Sequence, residues 1–126
     1  MTQMTASFKA LLLAAAVALP SMAFAADPAM EKNGMLTDHN EMTLYTYAKD
    51  SAGKSACNDK CAENWPPLAA SAADKSMGDW TVIKRDDGKM QWAYQGKPLY
   101  TFKMDKAGEM TGDGKADGAW KVAKAK

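Results

Sequence analysis

The chain has 126 residues, 16 Lys+Arg, 15 Asp+Glu, one His, two Cys, ten Met and four Trp, with a formal net charge of +1. That length holds one domain or two very small ones. The balanced charge excludes nucleic acid as a partner, because phosphate binding needs a basic face, and two Cys with one His are too few for a four-ligand zinc site.

Residues 1–25 read as a secretory leader. Lys9 is its only charge, Ala10 to Leu19 is an unbroken apolar run, Pro20 ends it, and Ala23-Phe24-Ala25 offers small residues for cleavage after Ala25. The run is too short to span a bilayer comfortably. No Cys lies near the cleavage site to carry a lipid, so the expected product is a periplasmic or secreted chain without a transmembrane anchor. Cleavage would leave residues 26–126 with 15 basic and 15 acidic side chains and seven Met. Export also permits a disulfide.

Residues 26–33 are assigned to an N-terminal extension, 34–120 to a single domain, and 121–126 to a flexible tail. Within the domain a ten-residue segment recurs. Leu44-Tyr45-Thr46-Tyr47-Ala48-Lys49-Asp50-Ser51-Ala52-Gly53 returns as Leu99-Tyr100-Thr101-Phe102-Lys103-Met104-Asp105-Lys106-Ala107-Gly108, 55 residues later and without a gap. Repeats of about 34–53 and 89–108 therefore predict two halves that close on each other in pseudo-symmetry.

The fold expected is mainly β: a small antiparallel domain of two pseudo-symmetric halves with one short Cys-bearing helix. Met35-Leu36-Thr37 and Met42 to Tyr47 form a hairpin around Asn40-Glu41. A short helix capped by Ser55 runs to about Asn64 and is stopped by Pro66 and Pro67. Ala69 to Met77 is a short helix or loop. Trp80 to Lys84, the Asp87-Gly88 turn, Lys89 to Tyr94, the Gln95-Gly96 turn and the repeat strand Leu99 to Lys103 make a meander.

Cys57 and Cys61, spaced C-x3-C, read first as a local disulfide, which in so short a loop contributes roughly 2 kcal/mol or less. The alternative is thiol redox or copper binding by Cys57, Cys61 and His39, because soft ligands favour Cu(I). Copper chaperones of cytochrome oxidase assembly carry a comparable spacing, but the thioredoxin-like βαβ pattern is absent here. A c-type haem is excluded because Ala62 follows Cys61. His39 reads as a solvated turn residue, and alone it cannot complete a nucleophilic triad. The scattered methionines read as gap-fillers.

The segment Asp105 to Asp117 is not an EF-hand, because Lys115 and Lys124 stand where oxygen ligands are needed; a loop site on Asp105, Glu109 and Asp113 is the remaining calcium reading. The pairs Tyr45/Asp50 and Tyr100/Asp105 are expected to be structural, with each Asp taking turn amides before Gly53 or Gly108 and each Tyr in the core. The alternative is a symmetric aromatic and carboxylate site between the halves. Exposed members of Trp65, Trp80, Trp92 and Trp120 are the expected contacts for an envelope ligand or protein.

Leu44-Tyr45-Thr46-Tyr47-x-x-Asp50, Cys57-x3-Cys61-Ala62-x-x-Trp65-Pro66-Pro67-Leu68 and Leu99-Tyr100-Thr101-Phe102-x-x-Asp105 together resemble the bacterial secreted-repeat lipoproteins of unknown function, with their tandem Tyr-x4-Asp motif. The resemblance covers about residues 34–120. It implies an exported or envelope protein and brings no catalytic residues or cofactor. The reading that follows is a non-enzymatic binding or interaction module.

Overall fold

The computed structural model describes residues 28–71 and 73–125; the expected leader over 1–25 lies outside them. Strands β1 (Met30–Lys32) and β2 (Met35–Thr37) form an antiparallel hairpin that pairs Met30 with Thr37 and Lys32 with Met35. Asn33 and Gly34 turn it with φ of 54° and 82°, the geometry that a two-residue hairpin loop demands. Part of the segment assigned to an N-terminal extension is therefore a strand.

The turn expected at Asn40-Glu41 is present. The Asp38 carboxylate accepts from the amides of Asn40 at 2.8 Å and Met42 at 2.9 Å, an Asx-type turn. The hairpin expected around it does not extend. Its arms are joined by a single bridge, Thr37 to Thr43, through the bonds Asp38 N–H to Met42 C=O and Leu44 N–H to Leu36 C=O. The chain then diverges, and β3 (Tyr45–Tyr47) pairs instead with β8 (Trp120–Val122).

Helix α1 covers only Lys60–Asn64 and is preceded by Asp59 at φ 55°. Ser55 does not cap it; that residue is buried elsewhere in a polar network. The meander matches its expectation over β5 (Trp80–Lys84) and β6 (Met90–Tyr94), registered from Trp80↔Tyr94 to Lys84↔Met90 around Gly88. The segment after Leu68, read as helix or loop, begins with β4 (Ala69–Ala70). This strand pairs with Met90 and Gln91, and β7 (Lys97–Pro98) follows on the same edge of β6, opposite Ala93 and Tyr94. A helical turn, α2 (Lys115–Gly118), has positive φ at Ala116 and Asp117.

Regular pairing stops at Pro98, although Leu99 to Lys103 was expected as a strand. Tyr100 instead makes isolated bridges to Tyr45 and Pro67. The partner segment explains this: Pro66 and Pro67 have no N–H, so no continuous ladder can run beside 99–103. Fifty-five residues later their counterparts are Lys121 and Val122, which keep their N–H groups and form β8. The tail expected from 121 onward is thus a strand and its continuation. Ala123 N–H bonds Leu44 C=O at 2.8 Å, Leu36 N–H bonds Ala123 C=O at 2.9 Å, and Ala125 N–H bonds Gly34 C=O at 2.8 Å.

The 55-residue offset maps hydrogen bond onto hydrogen bond. Gly53 N–H to Gly96 C=O (2.8 Å) matches Gly108 N–H to Glu41 C=O (2.9 Å). Ala48 N–H to Ala119 C=O (2.7 Å) matches Lys103 N–H to Asn64 C=O (2.9 Å), and Leu68 N–H to Leu99 C=O (2.9 Å) matches Ala123 N–H to Leu44 C=O (2.8 Å). Tyr45 and Tyr100 exchange both backbone bonds, at 2.7 and 3.0 Å, so the pseudo-two-fold axis passes between them. Strand alternation then divides the core. Leu44 and Leu99 join Ala29, Leu36 and Ala123 on one side; Tyr45 and Tyr100 join Cys57, Trp65, Phe102, Trp120 and Val122 on the other.

Trp120 and Val122 complete the second cluster, so truncation after Ala119 should abolish the cooperative urea transition. Trp120→Ala in the full chain should cost about 3–5 kcal/mol, measured by urea unfolding, whereas the same change at half-buried Trp80 should cost clearly less.

Candidate functional site

The repeated pattern Tyr-x-aromatic-x-x-Asp is cross-connected at the pseudo-two-fold axis. The Tyr45 hydroxyl donates to Asp105 Oδ2 at 2.5 Å, and the Tyr100 hydroxyl donates to Asp50 Oδ2 at 2.6 Å. Each tyrosine thus uses the aspartate of the other repeat. The second oxygens hold turns: Asp50 Oδ1 accepts Ala56 N–H at 2.6 Å, and Asp105 Oδ1 accepts the N–H of Thr111 at 2.9 Å together with its hydroxyl. These amides lie after Gly53 and Gly108, not before them as expected. The tyrosines are fully buried.

The third motif position forms an aromatic column. Tyr47 stacks on Trp120 (centroids 4.2 Å, planes 15° apart), Trp120 on Trp65 (3.9 Å, 2°) and Trp65 on Phe102 (4.3 Å, 26°). Tyr45 meets Trp65 edge-on at 5.2 Å, and Tyr100 meets Trp120 edge-on at 5.1 Å. Trp65 and Trp120 are counterparts at the same offset, as are Tyr47 and Phe102. The column is therefore symmetric about the axis, apart from Lys115 Nζ, which lies 5.5 Å from the Phe102 ring centre. Gly112 permits this closeness, since a Cβ there would stand 2.6 Å from Trp65 Cη2.

Of the four tryptophans whose exposed members are the candidate contacts, three are buried. Trp65, Trp92 and Trp120 are buried, and only Trp80, tilted against Tyr94 at 4.8 Å, is half-exposed. Trp92 is outside the aromatic stack, on β6, and meets Trp80 edge-on at 6.3 Å. For Trp65 and Trp120 the reason is the stack itself, which needs partners that lie far apart in sequence. Composition gives no signal of it.

One half carries a buried cation that sequence reasoning missed. Arg85, read only as part of a turn, donates through Nη1 to Ser55 Oγ (3.0 Å) and Gln91 Oε1 (2.9 Å), and through Nη2 to Cys57 C=O (2.6 Å). Its Nε reaches Asp87 at 3.3 Å. Ser55 Oγ lies 2.6 Å from the Tyr100 hydroxyl, so the network is continuous with the motif. Burial raises the Asp50 carboxyl above its ordinary value, against the lowering effects of the Ala56 amide, the Tyr100 hydroxyl and the Arg85 charge. Burial first, and then the carboxylate each one bonds, hold the Tyr45 and Tyr100 phenols well above the usual range.

The Cys57 and Cys61 sulfurs stand at disulfide distance, 2.00 Å, with Cys57 fully buried in the aromatic cluster. His39 sits in the exposed 38–41 turn, beside a different cleft lined by Asp38, Pro67 and Trp92. Asp105, Glu109 and Asp113 do not converge as a cation site would require. Glu109 accepts the Lys106 amide and Asp113 the Val122 amide. Among the described residues no group of three or more His, Cys, Asp or Glu is placed to hold a metal.

The Tyr47 end of the column opens into a cleft of about 430 Å³, lined from both repeats by residues that include Tyr47, Asp50, Gln95, Lys97, Ala119 and Lys121. Asp50 is the one motif carboxylate on its wall.

Tyr45→Phe should cost about 1–3 kcal/mol by leaving a buried Asp105 oxygen without its donor, and Tyr100→Phe should cost less, because Asp50 is half-buried on the cleft wall. Because folding raises the Asp50 pKa, its contribution to stability is fully present below the ordinary 3.8 and is lost as pH rises through the folded value. Carboxyl-carbon NMR should place the Asp50 midpoint above 3.8, and Asp50→Asn should remove that part of the pH dependence.

No curated protein and no solved structure matches the chain. Among the described residues no helix is long and apolar enough to cross a membrane. The family described as a secreted repeat of unknown function matches residues 29–69 and 81–124, the two halves that the hydrogen bonds relate to each other, and the chain belongs to that family.

Proposed function

We propose that this secreted repeat is a non-enzymatic binding module that takes a small polar ligand with one flat apolar face in the cleft at Tyr47. The 1–25 leader would deliver it to the periplasm in soluble form, since no Cys lies next to the cleavage position to carry a lipid. The observation that carries the binding reading is the cleft's composition. It joins the half-buried Tyr47 ring, a half-buried carboxylate and the lysines Lys97 and Lys121, and its walls come from both repeats. A concave site with an apolar surface and a few polar groups is the ordinary form of a small-molecule site.

The internal chemistry of the motif supports the non-enzymatic part. Asp50 and Asp105 already bind a phenol and a backbone amide each, and the two carboxylates do not face one space. Thiol redox needs only the two Cys, of which a Cys57–Cys61 disulfide is the oxidised state. The copper alternative needs the Cys57 and Cys61 thiolates free with His39 beside them. The two sulfurs are instead bonded to each other, and His39 lies in a separate turn.

A fragment screen followed by ¹H–¹⁵N NMR tests the reading. Bound fragments should shift the amides of Tyr47, Gln95, Gly96 and Ala119 and quench tryptophan fluorescence through the Tyr47–Trp120 stack. Tyr47→Ala should abolish both effects. Fragments that bind only elsewhere would overturn the assignment.

A further inference from the structure

The aromatic column holds its two central rings unusually close. Core aromatic pairs ordinarily have centroids about 4.5–7 Å apart. Here Trp65 and Trp120 lie parallel within 2° at a centroid distance of 3.9 Å, and each carries one buried tyrosine edge-on. Two closely stacked indoles share a positive charge, so losing an electron from the pair is easier than from either ring alone. A phenol gives up an electron readily only when its proton can leave at the same time, because the oxidised phenol is a strong acid. Tyr45 and Tyr100 each have a carboxylate in place to receive that proton, at 2.5 and 2.6 Å. The column borders solvent at both ends: Tyr47, whose ring lies 4.2 Å from Trp120, lines one open cleft, and Phe102 lines another together with Trp65 and Trp120.

We propose that the protein is a one-electron donor to small outer-sphere oxidants, with the Trp65–Trp120 pair as the relay and Tyr45 and Tyr100 as the electron source. An oxidant that reaches the column at Tyr47 takes one electron from the indole pair, leaving a radical cation and the reduced oxidant. Tyr45 or Tyr100 returns one electron to the pair. In the same step its phenolic proton passes to Asp105 or Asp50. The products are neutral indoles, a neutral phenoxyl radical and a carboxylic acid, so charge is conserved within the buried site. The exchange between repeats then has a chemical use as well as a structural one, since it gives each indole a tyrosine with its own proton acceptor. This assignment does not depend on ligand binding in the cleft.

The test is flash photolysis with tris(bipyridine)ruthenium as photo-oxidant and persulfate as electron acceptor. The chain has four tyrosines, so Tyr47→Phe/Tyr94→Phe leaves only Tyr45 and Tyr100. Both changes are at half-buried positions and keep the rings. In this variant a tryptophan radical transient should form and decay as a phenoxyl transient grows in. Tyr45→Phe/Tyr100→Phe should lose that phenoxyl growth and lengthen the life of the tryptophan radical. If the first variant gives no phenoxyl transient, or gives one that does not follow the decay of the tryptophan radical, the relay is wrong. An unchanged tryptophan decay in a folded second variant would also overturn it, and if that variant does not fold the first decides alone.

Discussion

The structure depends on an exchange: each repeat supplies the tyrosine that the other repeat's aspartate needs. A phenol and a carboxylate cannot be buried without partners, since each unsatisfied group costs about 1–3 kcal/mol. Neither half provides that partner from its own chain. Tyr45 turns to Asp105 and Tyr100 to Asp50, so closure of the two halves and satisfaction of four polar groups are one event. The backbone repeats the arrangement, with Tyr45 and Tyr100 pairing directly through both their amides and carbonyls. Alternation along the same segment sends Leu44 and Leu99 into one apolar cluster and the tyrosines into the other. One short motif thus sets the axis, both cores and the register between halves.

On this symmetric frame the two halves are filled differently. The first has the Cys57–Cys61 bond and Pro66-Pro67, and its Ser55 hydroxyl and Cys57 carbonyl accept from the guanidinium of Arg85, which the second half supplies. The second has Gly112 where Cys57 stands and Lys121-Val122 where the prolines stand. The consequences are local and opposite. Prolines cannot donate, so the first half's partner segment stays irregular, while the second half gains a true strand. Gly112 has no side chain, so the Trp65 ring can close over it and the Tyr45 hydroxyl can accept its N–H. Arg85 is buried among acceptors, and replacing it would leave several of them without a donor, the costly case for a buried charged group. The symmetry is in the backbone, and the differences are in what stabilises each loop.

Much of this was legible in the sequence. The ungapped repeat announced two halves, and the Asp87-Gly88 and Gln95-Gly96 turns placed the meander. The mainly β reading followed from those signals. The exchange between repeats was not legible, because an internal repeat says that two segments are alike, not which side chains cross between them. The equivalence of Trp65 and Trp120 was hidden because their flanks diverge, with Pro66-Pro67 in one copy and Lys121-Val122 in the other. That divergence also made residues 121–126 look like a tail. The Asn33-Gly34 hairpin carried a clear turn signal, but the expected boundary at residue 34 cut through it. Arg85 left no trace, since nothing in the residue pattern tells a buried arginine beside a turn from an exposed one.

The aromatic stack links this architecture to function. Tyr47 and Phe102 occupy the same motif position, yet the ends they form are different surfaces. At the Phe102 end the Lys115 ammonium lies over the ring face, a favourable cation–π position, and Phe102 itself is buried. At the Tyr47 end the ring is half-exposed and borders a cleft with Asp50, Lys97 and Lys121. A repeat that only held two halves together would have no need to distinguish its ends. The buried part of the motif is shared by both copies and fixes the interior. The unshared part makes the two ends chemically different: the Tyr47 end borders a cleft with Asp50, Lys97 and Lys121, and the Phe102 end borders one of about 400 Å³ where Lys115 stands beside Trp65 and Trp120.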